Sequence, residues 1–194
     1  MRRLITALAL LVAVALPLRA DQYVDQLKEK VGMYKTATGA FAPLYPAFAR
    51  QMIEDYGITT GTCVDVGSGP ASFAMEMAKV SQMTIYALDI DPNAIRLASV
   101  LVEEAGLTGR VLPIEGDAQC MPFRNEFADL VFSRGSIPFW PSREAGVREC
   151  YRILKPGGVA FVGGGFSHVL DPAVRSPIAS ARMKAMKADP DSSF

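Results

Sequence analysis

Cys63-Val64-Asp65-Val66-Gly67-Ser68-Gly69-Pro70-Ala71 decides the fold. An apolar run ends at a carboxylate and breaks into a glycine-rich turn. The alanine-rich, helix-prone stretch from Ala71 to Val80 follows. That order reads as strand, tight loop and helix. Gly67 and Gly69 lack the Cβ atoms that would hold a ligand away from the backbone. The helix beyond would offer unpaired N–H groups and the positive end of its dipole. The turn is therefore expected to receive a small polar ligand.

Spacing narrows that ligand. A dinucleotide turn has the pattern Gly-x-Gly-x-x-Gly, but Ser72 stands at the third glycine position. Asp65, two residues before the first glycine, would repel a pyrophosphate. A nicotinamide-dependent oxidoreductase is disfavoured on both counts. The same carboxylate suits a ligand with an ammonium group, such as an amino acid joined to a nucleoside. Met83 to Leu88 reads as a second strand ending at Asp89, where a carboxylate can accept two hydrogen bonds from a ribose diol. Arg110 to Asp117 reads as a third strand, with Asp117 placed to accept from an adenine amino group. Ala128 to Ser133 reads as a fourth. Leu154 to Gly158 is expected to be a turn, and Val159 to Gly163 a fifth strand.

These motifs, VDVGSGPASFA, YALDIDP, EGDAQCMPF, FADLVFSRGSIPFW and LKPGGVAFVGGG, span about Thr62 to Gly165. In order and spacing they resemble the class I S-adenosylmethionine-dependent methyltransferases, in particular an uncharacterised prokaryotic group. The resemblance implies a Rossmann-like, doubly wound α/β fold, with a mainly parallel sheet and helices on both faces. It implies S-adenosylmethionine as cofactor and methyl transfer to an unidentified, small-molecule acceptor. It implies that Gly67, Ser68 and Gly69 approach the methionine part, with Asp65 anchoring its amino group directly or through water. Asp89 would hold the ribose hydroxyls, Ile90 would pack on the adenine face, and Asp117 and Ala118 would contact the adenine edge. Ser133 would close the cofactor site. Ser133, Arg134 and Ser136 are the candidate polar groups beside methyl transfer, and Tyr45 and Trp140 are candidates for the acceptor. Ala71 stands where many members have glycine, which is tolerable if its φ is negative. The competing reading is a non-catalytic S-adenosylmethionine-binding module or sensor.

The rest of the chain bounds these readings. At 194 residues, with 20 basic and 20 acidic side chains, it suits one α/β domain and lacks the basic surplus of a nucleic-acid binder. Cys63, Cys120 and Cys150 show no metal-ligand spacing, and His168 is the sole histidine, so no metal site is expected. Met1-Arg2-Arg3, the apolar run Leu4 to Leu16 and Pro17 to Ala20 have the layout of a secretory signal. Residues 1–20 then read as a cleaved signal, an uncleaved anchor or a non-targeting extension. Membrane contact is expected only through them, and the chain would be exported, membrane-attached or cytoplasmic accordingly.

Residues 21–57 read as a helical lid and 58–194 as the cofactor-binding domain. Asp21 to Met33 is expected to be helical, with a stripe of Val24, Leu27 and Val31. Thr36 to Pro46 reads as a loop, and Ala47 to Tyr56 as a helix stopped by Gly57. Tyr34, Phe41 and Tyr45 could face the ligand or pack on the domain. Pro92 to Ala105 is expected to be a helix capped by Asp91. Arg143 to Leu154 reads as another, with a buried stripe of Val147, Tyr151 and Leu154. Trp140 either lines a pocket or fills the space under its loop. Asp171 to Lys187 is expected to be helical. No strand pair follows strand five, so the sheet is expected to lack the family's C-terminal hairpin and the chain to look truncated.

Overall fold

The computed structural model describes residues 20–188. Residues 1–19, on which the signal, anchor or extension reading falls, and the tail from Asp189 lie outside the described residues. Three helices, α1 (Ala20–Lys30), α2 (Gly32–Thr38) and α3 (Leu44–Tyr56), precede the alternating part. There follow β1 (Thr62–Val66), α4 (Ser72–Val80), β2 (Thr84–Asp89), α5 (Pro92–Glu104), β3 (Val111–Glu115), β4 (Ala128–Arg134), a short 3-10 turn (Ile137–Phe139), α6 (Arg143–Ile153), β5 (Leu154–Gly163) and α7 (Pro172–Ala188).

The five strands form one sheet in the order β3-β2-β1-β4-β5, and every pairing is parallel. Parallel strands covered on both faces carry near-continuous apolar runs, which is why β1 and β4 are buried almost throughout. One face packs against α3, α4, α5 and α7 through Phe48, Phe73, Met77, Ala98, Phe132 and Ile178. Phe132 stacks between Phe73 and Phe161 on this side. The other face packs against α6 and the β3–β4 loop through Val64, Leu88, Val131, Cys150 and Ile153. The chain reverses direction across the sheet between β1 and β4. In open α/β sheets that switch point, at the carboxyl ends of the strands, is where ligands bind.

Several boundaries differ from the sequence reading. The first helix breaks at Val31, whose backbone is extended, and a second short helix, α2, begins at Gly32 and reaches to Thr38, into the start of the loop expected from Thr36. Pro46 falls within the first turn of α3, where its missing N–H costs nothing, so that helix starts three residues early. Lys155 to Gly158 continue β5 instead of forming a separate turn, with a register shift opposite Ala128 to Leu130 absorbing the extra length. On α6 the expected stripe is out of phase. Val147 and Tyr151 are exposed, Tyr151 at 81%, while Gly146, Cys150 and Ile153 face the sheet. The Val24, Leu27 and Val31 stripe does pack on α5, against Ala94, Leu97 and Leu101. The Asp91 cap on α5 and the left-handed Gly57 after α3 both form.

Candidate active site

The carboxyl ends of β1, β2, β3, β4 and β5 open into one cleft of about 280 Å3, at the small end of ligand pockets. Its walls come from Gly67 and Gly69 after β1, Asp89 and Ile90 after β2, and Gly116 to Ala118 after β3. Arg134 to Pro141 after β4 and Gly163 to Gly165 after β5 complete the rim, with Met33 and Phe41 reaching in from the N-terminal helices. No histidine or lysine lines it among the described residues.

The turn after β1 is bound tightly to β2. The Gly67 and Ser68 N–H groups both donate to the Leu88 carbonyl, at 2.8 and 2.9 Å. The Gly69 N–H donates to Asp89 Oδ2 at 2.7 Å. These amides are therefore committed to the fold rather than offered to a ligand. The N-terminus of α4 is engaged as well, since the Ala74 amide donates to the Asp65 carboxylate. The turn presents bare backbone surface, and its polarity comes from carboxylates.

Asp65 is 3% exposed and sits inside the fold rather than on the cleft wall. Among the described residues its Oδ2 has no hydrogen-bond partner. Burial, and secondarily the nearby charge of Asp89, push its carboxyl up to about 8 against the opposing Ala74 bond. Asp89 does line the cleft. Its Oδ1 accepts from the Asp91 N–H at 2.9 Å while Oδ2 braces Gly69, which fixes its orientation. Ile90 beside it is 67% exposed, an apolar surface at the cleft edge. Asp117 lies on the same side with both oxygens near Gln119 Nε2, at 3.3 and 3.2 Å. Ala118 is nearly buried beside it.

On the far side of β1, Ser133 is fully buried and off the wall. Its hydroxyl meets the Ser136 hydroxyl at 2.7 Å, and Ser136 also donates to the Val66 carbonyl at 2.9 Å. The two serines thus tie the β4 loop to β1. Arg134 lies on the wall. Its guanidinium sits 5.2 Å from the ring centres of both Phe41 and Phe48 and donates to the Gly165 carbonyl at 3.1 Å. Tyr45 is off the wall and packs on the core; burial raises its phenol, while the charge of Arg134 opposes the rise. Trp140 lines the cleft, and its ring fills the space over Gly146.

Sequence reasoning missed the contribution of Met33, Phe139 and the glycine run 163–165. The run Gly163-Gly164-Gly165 at a strand end was the available signal. The cysteines form no site among the described residues. Cys63 and Cys150 are buried, which pushes both thiols up, Cys150 to about 12, and the described residues hold no group of three or more His, Cys, Asp or Glu placed to bind a metal.

Fold and cleft together define a class I S-adenosylmethionine-dependent methyltransferase domain. The methyltransferase domain family matches residues 64–162. A solved structure assigned as an S-adenosylmethionine-dependent methyltransferase of Methanococcus maripaludis superposes with a TM-score of 0.74 at 33% identity, covering 91% of this chain and 77% of that one. The chain belongs to this family. A 2-methyl-6-phytyl-1,4-hydroquinone methyltransferase of Oryza sativa is 39% identical over 98 residues, 50% of this chain and 28% of that protein. A sterol 24-C-methyltransferase of Aspergillus fumigatus is 31% identical over 121 residues, 60% of this chain and 32% of that protein. These matches thus span about a third or less of the curated relatives' length.

The residues present fit the cofactor. Asp89 offers a braced carboxylate for a sugar diol, exposed Ile90 offers an apolar face for a base, and Gly69, with open space where a Cβ would stand, lets a ligand approach the backbone, whereas the missing side chain of Gly67 makes room for Ser136.

Proposed function

We propose that the protein moves a methyl group from S-adenosylmethionine to a small, largely apolar acceptor. The observation that carries this reading is the cleft itself. Carboxylates at the ends of β2 and β3 stand on one side of the glycine turn, and an apolar wall after β4 and β5 stands on the other.

Bound there, the cofactor supplies a methyl group activated by sulfonium charge: the acceptor's electron pair forms the new bond to carbon, and the methyl–sulfur pair stays on sulfur as S-adenosylhomocysteine. The chain's own residues bind and orient. Asp89 and Asp117 hold the nucleoside end, and Gly69, open where a side chain would stand, admits the methionine end. Ile137, Phe139 and Trp140 exclude water from the acceptor side. Residues 21–57 act as a cover in this reading, because Met33 and Phe41 reach the wall from them. The hydroquinone and sterol acceptors in the names of the relatives support a small apolar substrate.

Calorimetry with S-adenosylhomocysteine tests the cofactor site. The expected result is saturable binding, weakened by about 1–3 kcal/mol in Asp89→Ala through lost hydrogen bonds. Absence of binding would remove the methyltransferase reading. Incubation with S-adenosylmethionine and metabolite extracts, read by mass spectrometry, then tests turnover; methylated small molecules are the expected product.

A further inference from the structure

The cleft is electrically divided by the sheet order. Asp89 and Asp117 end β2 and follow β3, on one side of β1. Arg134 ends β4, on the other side, and no other basic side chain lines the cleft among the described residues. Its guanidinium is packed between Phe41, which lines the cleft, and Phe48, which is buried in the core, and it donates to the carbonyl of Gly165 on the cleft rim. Around it the surface is apolar: Met33, Phe41, Ile137, Pro138, Phe139 and Trp140. A fixed cation beside apolar rings attracts anions more strongly than it would in open water.

Among the described residues the same wall carries no base. The cleft's carboxylates stand on the β2/β3 side, and the Ser136 hydroxyl is bonded to Val66 and Ser133. An acceptor that must lose a proton inside the cleft finds no partner on the β4/β5 side. An acceptor already negative there needs none.

We propose that the β4/β5 side of the cleft is an acceptor subsite for a flat apolar molecule bearing negative charge, such as a phenolate, enolate or aromatic carboxylate, drawn in by the Arg134 guanidinium. This deepens the methyltransferase reading and rests on it. The subsite needs only the charge of Arg134, not an idle N–H group. When such an anion accepts the methyl group, its own electron pair makes the new bond and the negative charge is consumed, so no proton has to leave.

The test compares benzoate with its neutral amide, benzamide, on the protein saturated with S-adenosylhomocysteine. Trp140, the chain's only tryptophan and a wall residue, reports binding by its fluorescence. Benzoate is expected to bind about tenfold more tightly than benzamide, a difference of ~1.4 kcal/mol. Arg134→Met should abolish the preference, and Arg134→Lys should keep part of it because the charge remains. Should Arg134→Met fail to fold, the lysine variant and the salt dependence of the wild-type preference still decide, since a charge-based preference shrinks in salt. Equal binding of the two probes, binding of neither, or a preference unmoved by Arg134→Met would overturn the proposal. If S-adenosylhomocysteine itself fails to bind, the underlying methyltransferase reading falls instead.

Discussion

Gly67 lies directly against Ser136: a Cβ built on the glycine would overlap the serine Cβ and Oγ. Gly67 also has φ +71, a left-handed backbone. The turn after β1 and the loop after β4 therefore form one packed unit, sealed by the Ser136 bond to Val66. Gly67→Ala carries about 1–2 kcal/mol of left-handed strain and about 1–3 kcal/mol of overpacking. Urea unfolding should show a loss of ~2–4 kcal/mol, with S-adenosylhomocysteine binding lost as well. Adding Ser136→Gly should restore part of the stability. A loss below ~1 kcal/mol in the single variant would show that the two loops are not packed in this way.

Ala71 is in the left-handed region, with φ 61, so the condition of negative φ on which an alanine was expected to be harmless is not met. The residue is fully buried at the start of α4. Replacing a buried alanine of ordinary conformation by glycine costs about 1–2 kcal/mol in chain entropy and a lost methyl group. Here relief of about 1–2 kcal/mol of strain offsets that cost. Ala71→Gly should leave stability within ~1 kcal/mol of wild type, whereas Ala71→Val should lose more than ~2 kcal/mol because a β-branched side chain fits this region worst. Chemical denaturation of both variants checks the contrast; a large loss in Ala71→Gly would contradict the strain.

Asp65 makes the stability of the empty protein fall as pH rises. Its folded value, about 8, lies far above the ordinary 3.8. The folded form therefore holds a proton that the unfolded form has released throughout that window. The stabilisation is complete below the ordinary value and is lost as pH climbs through the folded one. Asp65→Asn has no proton to lose. The difference in unfolding midpoint between wild type and Asp65→Asn should therefore shift in favour of the variant from pH 4 toward pH 8. Parallel curves would mean that the carboxyl is not buried as described.

How much of this was legible follows from what each pattern encodes. β1 and β4 could be read in full because buried parallel strands are apolar over their whole length, so phase hardly matters, whereas β5 was read only from Val159 because Lys155-Pro156-Gly157-Gly158 carries a turn's composition. α6 shows the limit. Its sequence RECYRI offers Tyr151 and Cys150 as rival inward residues, and size favoured the wrong one. The structure turns Cys150 and Ile153 inward because Trp140 already occupies the space over Gly146. Asp89, Asp117 and Ile90 were readable as cleft residues because each ends or follows a strand. The burial of Asp65 and Ser133 was not, since a strand's last residues can face the cleft or either layer, and only the assembled helices decide. The commitment of the turn amides to Leu88 and Asp89 was equally invisible, being a contact between segments twenty residues apart.

Gln119 links the two sides of the cleft. Its Oε1 accepts the Ser142 N–H at 2.7 Å, just past Trp140 and Pro141, while its Nε2 approaches both Asp117 oxygens. Gln119 is thus a positioning residue for Asp117 and a tether for the β4 loop. Gln119→Glu keeps an oxygen for Ser142 but removes the donor and sets a second carboxylate against Asp117. Gln119→Ala removes both bonds. The glutamate variant should weaken S-adenosylhomocysteine binding by ~1–2 kcal/mol, roughly 5- to 30-fold, with Trp140 emission unchanged. The alanine variant should weaken binding and also shift Trp140 emission to the red, because the freed loop admits water to the indole. Calorimetry and fluorescence on the same samples separate the two effects. Unchanged affinity in Gln119→Glu would mean that the orientation of Asp117 does not depend on Gln119, and an unshifted Trp140 in Gln119→Ala would mean that the loop is held by its own packing alone.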